Sequence, residues 1–341
     1  MKAVSVYEAE GMILCHDITE IVPGKPKGRA FKKGHVVKRE DIPKLLNLGK
    51  EHLYVWEVNE NALHENDAAI RIAKAAAGQG ITLTEPEEGK VELRAKMAGL
   101  LKINTSALEK INDIDEIVLA TIHSNQMVGS GDAVAGSRVV PLVINTDKIR
   151  NVEKIGEAFF PIVEIKPLRS LKVGVVTTGS EVYHGRIQDQ FGPVIQRKIT
   201  ELGSQILRQI FSDDNVTMIS ESIRTLIKEG AEMIITTGGM SVDPDDVTPA
   251  GIKEAGGYVI SYGAPVLPGS MFMLARIGDI PVLGLPGCVM YHKTTIFDLL
   301  VPRILAGEAI TRKDITHLAH GGYCLNCDLC QYPHCTFGKG S

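Results

Sequence analysis

Residues Glu232 to Ala250 read E-M-I-I-T-T-G-G-M-S-V-D-P-D-D-V-T-P-A. The apolar run Met233-Ile234-Ile235 passes through Thr236-Thr237 into Gly238-Gly239, and three aspartates follow within four positions. A buried strand ending in a ligand loop has this form, because paired glycines let the backbone take dihedrals that a Cβ forbids and approach a bound group closely. Threonine hydroxyls and backbone N–H groups suit an anion, and Asp243, Asp245 and Asp246 set carboxylates beside it. Val247-Thr248-Pro249 starts a helix, with Asp246 or Thr248 as its cap and proline at a tolerated early position. The plainer alternative is a strand, a glycine turn and a helix cap with no ligand.

Two related stretches flank this one. Val173 to Glu181 reads V-G-V-V-T-T-G-S-E, and Ile280 to Gly287 reads I-P-V-L-G-L-P-G, each an apolar strand running into a glycine turn. Between and around them, segments of strand and helix length alternate. Strands are expected at Leu171 to Thr177, Ser204 to Phe211, Ala231 to Thr237 and Gly257 to Ser261, with a hairpin of Met271 to Ile277 and Ile280 to Leu285 around Gly278-Asp279. Helices are expected at Pro193 to Leu202, Asn215 to Lys228 (capped by Asp214), Thr248 to Ala255 and Met290 to Leu305. Such alternation predicts a three-layer αβα domain with a mostly parallel sheet, whose ligands bind at the carboxyl ends of the strands.

The motifs T-T-G-S-E, S-D-D, T-T-G-G-M-S-V-D-P-D-D-V-T-P, P-G-S and G-L-P-G, in that order between Leu171 and Gly307, resemble the molybdopterin-binding domain. Molybdopterin adenylyltransferases and molybdenumtransferases share that domain, and the ordered set is far more specific than any one member. The resemblance implies a cleft for a phosphorylated pterin. Its walls would be Thr177, Thr178, Gly179, Ser180, Glu181, Thr237, Gly238, Gly239, Ser241 and Asp243 on one side, and Pro268, Gly269, Ser270, Leu285, Pro286 and Gly287 on the other. It further implies Mg²⁺, with Asp246 and Asp213 as the catalytic carboxylates. For Asp213 and Asp214 the plainer alternative is a helix cap.

The chain departs from the molybdenumtransferase pattern in four places. Ser180 stands where Asp is usual, Leu267 and Ser270 where lysines flank the Pro-Gly turn, and Cys288-Val289-Met290-Tyr291 where Asn-Pro-Val-Ser is usual. A Ser-Ala-Met-Asp-Gly motif is absent. Losing cations beside an anionic ligand weakens binding and transition-state stabilisation alike. The resemblance thus implies an enzyme that assists insertion of molybdate or tungstate into molybdopterin or its adenylylated form. A non-catalytic pterin carrier and a nucleotide pyrophosphohydrolase on the same domain are the alternatives.

At 341 residues more than one domain is expected. We divide the chain into a β-rich module (1–58), an α+β region (59–167), the α/β domain (168–310) and a cysteine-rich tail (311–341). In the first, Met12 to Leu14, Ile18 to Val22 and Leu53 to Val58 read as strands, P-G-K-P-K-G at 23–28 as a turn, and Asp41 to Leu48 as a helix. The basic run from Lys25 to Arg39 is a solvated face or, alternatively, faces an anionic ligand. In the second, helices are expected at Asn59 to Ala77, Glu88 to Leu101, Ser106 to Ile111 and Asp147 to Glu157. Strands are expected at Ile114 to Ile122 and Arg138 to Ile144, with G-S-G-D-A-V-A-G as a loop.

The composition, 44% hydrophobic and 23% charged with a net charge of −4, is that of a globular protein without a general nucleic-acid footprint. No signal peptide and no membrane span is expected, which points to the cytoplasm, and the resemblance implies a homo-oligomer. Cys15 and Cys288 are isolated, the latter a small buried residue or a soft ligand. Cys324, Cys327, Cys330 and Cys335 form C-x-x-C-x-x-C-x-x-x-x-C in the tail. Four thiols so close together point to zinc or an iron–sulfur cluster, with free thiols in a mobile tail as the alternative.

Overall fold

A computed structural model describes residues 2–20, 28–55 and 61–340. It divides into two compact units, one of Met1–Lys96, Ile103–Ile122 and Ser130–Ile165, the other of Met97–Lys102, His123–Gly129 and Lys166–Ser341.

The second unit carries a six-stranded sheet made of β1 (Lys172–Thr178), β2 (Gln205–Ser212), β3 (Met233–Thr237), β4 (Tyr258–Tyr262), β5 (Met273–Ile277) and β6 (Ile280–Leu285). Their spatial order is β2-β1-β3-β6-β5-β4. The first four neighbours run parallel, and β5 and β4 are added antiparallel at one edge.

Side-chain alternation along these strands builds two cores. Val173, Val175, Met233, Ile235, Leu283 and Leu285 point to one face, where they meet Ile195 and Ile199 of α2 (Phe191–Glu201) and the apolar side of α6 (Ile296–Leu305). Val176, Ile234 and Val282 point to the other, against Ile219, Ile223 and Leu226 of α3 (Val216–Lys228) and Ile252 of α4 (Thr248–Glu254). The period of two in the strands and the i, i+4, i+7 spacing in α3 therefore produce the three-layer αβα arrangement. Each fully buried aliphatic side chain contributes about 1.5–3 kcal/mol against exposure.

Three local expectations in this unit are corrected. α3 is capped by Asn215, whose side chain accepts from the Met218 N–H, and not by Asp214. α4 follows Val247 with no side-chain cap, so neither Asp246 nor Thr248 serves there. The expected single helix from Met290 to Leu305 is two: α5 (Cys288–Tyr291) and α6, which starts afresh with Thr295 and Asp298 in a capping box. Thr295 and Asp298 bond each other's backbone N–H groups, so the chain restarts a helix here and does not continue one.

The tail is packed. Ile310, Ile315, Leu318 and Phe337 belong to the same buried cluster as Leu283, with Cys324, Tyr332 and Cys335 against it. This rules against the mobile-tail alternative.

In the first unit, Lys2–Ser5 pairs antiparallel with His52–Val55, and Ile18–Glu20 with Gly28–Phe31, over a core that includes Leu14, Leu45 and Leu53. A four-stranded antiparallel sheet follows in the order Ile81–Leu83, Val91–Ala95, Ala133–Val139, Ile117–Thr121, covered by the helices Glu65–Ala76 and Thr105–Asn112, with Thr146–Phe159 packed on both helices. The expected helix over Glu88 to Leu101 is instead the strands Val91–Ala95 and Gly99–Ile103. Val91, Leu93 and Ala95 are buried in strict alternation, a period-two pattern that overrides the helix-forming composition. The expected loop of glycines and alanines runs into strand at Ala133 for the same reason.

The expected turn at 23–28 lies outside the described residues except for Gly28, as do Ile21, Val22, Lys25, Lys27 and the end of the strand expected to reach Val58. Of the remaining basic run, Arg29 pairs with Asp17, His35 with Asp41 and Lys38 with Glu40. Among the described residues no helix is long and apolar enough to cross a membrane.

Candidate functional site

The registers of the three central strands set the site. Thr177 of β1 lies beside Thr237 of β3, and Thr237 beside Leu285 of β6, so the three glycine turns leave the sheet together at its carboxyl edge. A cavity of about 510 Å³ opens there. Gly238, Gly239, Ser241, Asp243 and Asp246 line it from the β3 loop, Pro268, Gly269 and Ser270 from the turn before β5, and Leu285, Pro286 and Gly287 from the end of β6. These expected site residues are thus brought to one space.

The β3 loop is held by close approach. Gly238 and Gly239 are both left-handed, with φ of 87° and 54°. A Cβ on Gly238 would sit 2.3 Å from the Thr178 carbonyl oxygen, and one on Gly239 2.6 Å from the Thr248 hydroxyl. Only glycine takes both conformations at this spacing without strain. Beyond them, the Asp243 N–H donates to the Asp246 carboxylate at 3.1 Å and the Asp246 N–H to the Asp243 carbonyl at 2.9 Å, closing the loop with both carboxylates on the cavity.

The threonines do different work from that expected. Thr177, Thr178, Thr237 and Thr248 are all buried. Thr178 Oγ1 donates to the Thr237 carbonyl at 3.2 Å and lies 2.9 Å from Thr248 Oγ1, while Thr237 Oγ1 donates to Thr177 Oγ1 at 3.2 Å. Gln209 on β2 donates to Thr177 and Asp189. Engaged with one another, these hydroxyls brace the strand ends, and Thr177, Thr178 and Thr237 are not among the residues lining the cavity. No local pattern pointed to Gln209, a residue of the neighbouring strand.

Asp213 also stands apart from the cavity lining. It accepts from the Ser180 hydroxyl at 2.5 Å and lies 3.5 Å from His184 Nε2, and Asp214 accepts from the Ser180 N–H at 2.8 Å. The pair therefore caps the Gly179-Ser180 loop, not helix α3. The Ser180 hydroxyl, then the Asp214 N–H, hold the Asp213 carboxyl below its ordinary value. Glu181 is exposed beside Gly179. Cys288 does line the cavity, half-buried, and burial pushes its thiol up. Met240 and Met271, which motif reading gave no role since methionine at a loop looks like core, complete an apolar side with Leu267.

The donor set on the cavity fits Mg²⁺ as a hard cation that takes one or two carboxylates and leaves its other positions to water or phosphate. Asp243 and Asp246 supply the two. Among the described residues no three histidine, cysteine or acidic side chains meet closely enough to form a cage for an ion. The four tail cysteines line a separate cavity of about 260 Å³.

Comparison with known proteins agrees with the class of domain this geometry defines. Residues 174–306 match a family model described as a probable molybdopterin binding domain, and residues 3–57 match a domain of unknown function (DUF8806). A CinA-like protein from Mycobacterium sp. (strain MCS) is 37% identical over 85 residues, 25% of this chain and 20% of that protein. Another, from Mycolicibacterium vanbaalenii, is 34% identical over 111 residues, 33% of this chain and 25% of that protein. The match thus spans a quarter or less of these relatives' length. Among solved structures, CinA from Thermoplasma acidophilum is 18% identical with a TM-score of 0.30, covering 35% of this chain and 89% of that one. The tungsten cofactor synthesizing protein MoaB from Pyrococcus furiosus is 21% identical with a TM-score of 0.33, covering 40% and 96%.

Proposed function

We propose that the cleft at the ends of β3 and β6 binds molybdopterin or its adenylylated form, and that the chain assists Mg²⁺-dependent insertion of molybdate or tungstate. The observation that carries this reading is the convergence of the Gly238-Gly239, Pro268-Gly269 and Pro286-Gly287 turns on one cavity with two carboxylates on its wall. The match of residues 174–306 to the molybdopterin-binding family supports it.

In this reading Asp243 and Asp246 hold Mg²⁺, which neutralises phosphate charge and polarises a phosphorus–oxygen bond when bound. Gly238 and Gly239 bring backbone close to the phosphate, with Ser241 and Ser270 supplying hydroxyls beside it. Met240, Met271 and Leu285 give the pterin an apolar floor. Asp213 acts as a positioning residue: through Ser180 it fixes the turn at Gly179, which abuts the β3 loop. The protein acts as a homo-oligomer, and its tail cysteines carry a soft metal centre, zinc or iron–sulfur.

A second reading, a non-catalytic pterin carrier, is favoured by one observation. The described residues lining the cavity include no lysine or arginine. A site that binds the anion without cations of its own holds it but stabilises charge development less well. Purified protein incubated with adenylylated molybdopterin, Mg²⁺ and molybdate separates the two. Metal-dependent AMP release with cofactor formation supports the first reading and tight binding without turnover the second. Hydrolysis of ordinary nucleotides, or no binding of the pterin, overturns both.

A further inference from the structure

The tail cysteines converge on one space. Cys324, Cys327, Cys330 and Cys335 all line the 260 Å³ cavity, whose other wall is the segment from Tyr291 to Thr294 between α5 and α6. The tail is fixed there from both sides. Phe337 is buried in the core, the Tyr332 hydroxyl donates to the Asp298 carbonyl at 3.3 Å, and the Cys324 N–H donates to the Leu267 carbonyl at 2.8 Å. All four cysteines are free thiols.

Their arrangement decides between metals. A single zinc ion needs four sulfurs within about 2.3 Å of one point. Here no three potential ligands meet in that way, although four thiols and His292 face the same cavity. Four thiols lining one cavity of about 260 Å³ suit a body several atoms wide, in which each cysteine binds a different corner. An iron–sulfur cluster is such a body, and its Cys₄ ligand sets use the C-x-x-C-x-x-C spacing present at Cys324, Cys327 and Cys330. The fourth cysteine need not follow at a fixed interval, since the fold already brings Cys335 to the cavity.

We propose that Cys324, Cys327, Cys330 and Cys335 hold a [4Fe–4S] cluster in the tail cavity. Loading from a preformed thiolate-ligated cluster is a ligand exchange with no net redox step. Four iron–cysteine sulfur bonds form, four iron–external thiolate bonds break, and the departing thiolates leave with the cysteine protons. Lys293 lines the same cavity, where its ammonium offsets part of the negative charge that four thiolates bring. The Thr294 hydroxyl, 3.5 Å from Cys330 Sγ, is placed to donate to that ligand sulfur.

The test uses the full chain, handled without oxygen and incubated with a synthetic thiolate-ligated [4Fe–4S] cluster, then freed of excess by gel filtration. About four iron and four labile sulfide per chain, with broad visible absorption and a cubane Mössbauer signature, are expected. Cys327→Ser is the informative variant, because Cys327 is the exposed member of the set and its loss leaves the core intact. It should retain the native thermal transition and lose most of the bound iron, whereas Cys288→Ser should keep the full complement. Absence of labile sulfide, uptake of about one zinc per chain in its place, or a Cys327→Ser protein as iron-rich as the parent would each overturn the assignment. None of these readouts depends on whether the neighbouring cleft binds a pterin.

Discussion

The buried hydroxyls of Thr178 and Thr248 lie 2.9 Å apart, linking the end of β1 to the first residue of α4. Thr178 also donates to the Thr237 carbonyl, so one side chain ties two strand ends and a helix start. Replacing Thr248 with Val keeps the shape and removes one partner. Thr178 keeps its bond to the Thr237 carbonyl, so the loss is that of one hydrogen bond, about 0.5–1.5 kcal/mol. Urea unfolding of Thr248→Val should show a lower midpoint at unchanged slope, and Thr248→Ser should recover most of the difference.

Gly238→Ala is expected to be more damaging to the site than its size suggests. The new methyl would meet a main-chain carbonyl at 2.3 Å in a left-handed conformation. Strain of this kind costs about 1–3 kcal/mol, and it is relieved only by moving the loop that carries Asp243 and Asp246. We expect pterin affinity, read by fluorescence titration, to fall at least as strongly as thermal stability.

Asp246→Ala should leave the fold in place, because the residue is half-buried on a loop outside both cores. Circular dichroism and the melting transition should be unchanged. AMP release from adenylylated molybdopterin should fall to background, and added Mg²⁺ should not restore it. Activity equal to the parent would remove Asp246 from the reaction.

Acid stability should depend on an ion network around Arg303. This guanidinium, 7% exposed, binds Glu308 at 2.9 Å and Asp314 at 2.7 Å, and Lys102 binds Glu308 at 2.7 Å. Burial pushes the Asp314 carboxyl up, but the Thr311 hydroxyl and Arg303 outweigh it and hold the group down to about 2 from an ordinary 3.8. Glu308, pushed up by burial, is likewise held low by Lys102 and Arg303. Both carboxyls are depressed on folding, so their contribution is complete above the ordinary carboxylate range and is lost as pH falls toward about 2. Melting temperature should drop across that window, and Asp314→Asn should flatten the drop. Arg303→Met removes one partner from each acid, Glu308 keeping Lys102 and Asp314 keeping Thr311, and should lower the melting temperature near neutral pH.

The α/β unit was legible because its central strands β1, β3 and β6 are buried on both faces and end in glycine turns, signals that survive without tertiary context. Asp243 and Asp246 were legible for the same reason, as loop carboxylates beside Gly238-Gly239. The helix expected over Glu88 to Leu101 failed because Glu, Lys, Leu and Ala favour helix locally, while Val91–Ala95 is held as strand between Ile81–Leu83 and the sequence-distant Ala133–Val139. Thr177 and Thr237 looked like ligand groups because a hydroxyl at a strand end is the same symbol whether it faces a cleft or a neighbouring strand. Asp213 was read as a catalytic carboxylate or, with Asp214, as a helix cap, and their bonds to the Ser180 loop depend on a chain crossing that no local pattern encodes.

Leu267 is bonded on both sides to the tail: its N–H donates to the Gly322 carbonyl, and its own carbonyl accepts from the Cys324 N–H, each at 2.8 Å. The same residue lines the cleft, and Pro268 and Gly269 follow it there. Because the stitch is made by main chain, it does not depend on the exposed Tyr323 side chain between its two bonds, whereas a Cβ on Gly322 would meet the Pro265 carbonyl oxygen at 2.3 Å. The cysteine segment and the rim of the cleft thus share one backbone seam at Leu267.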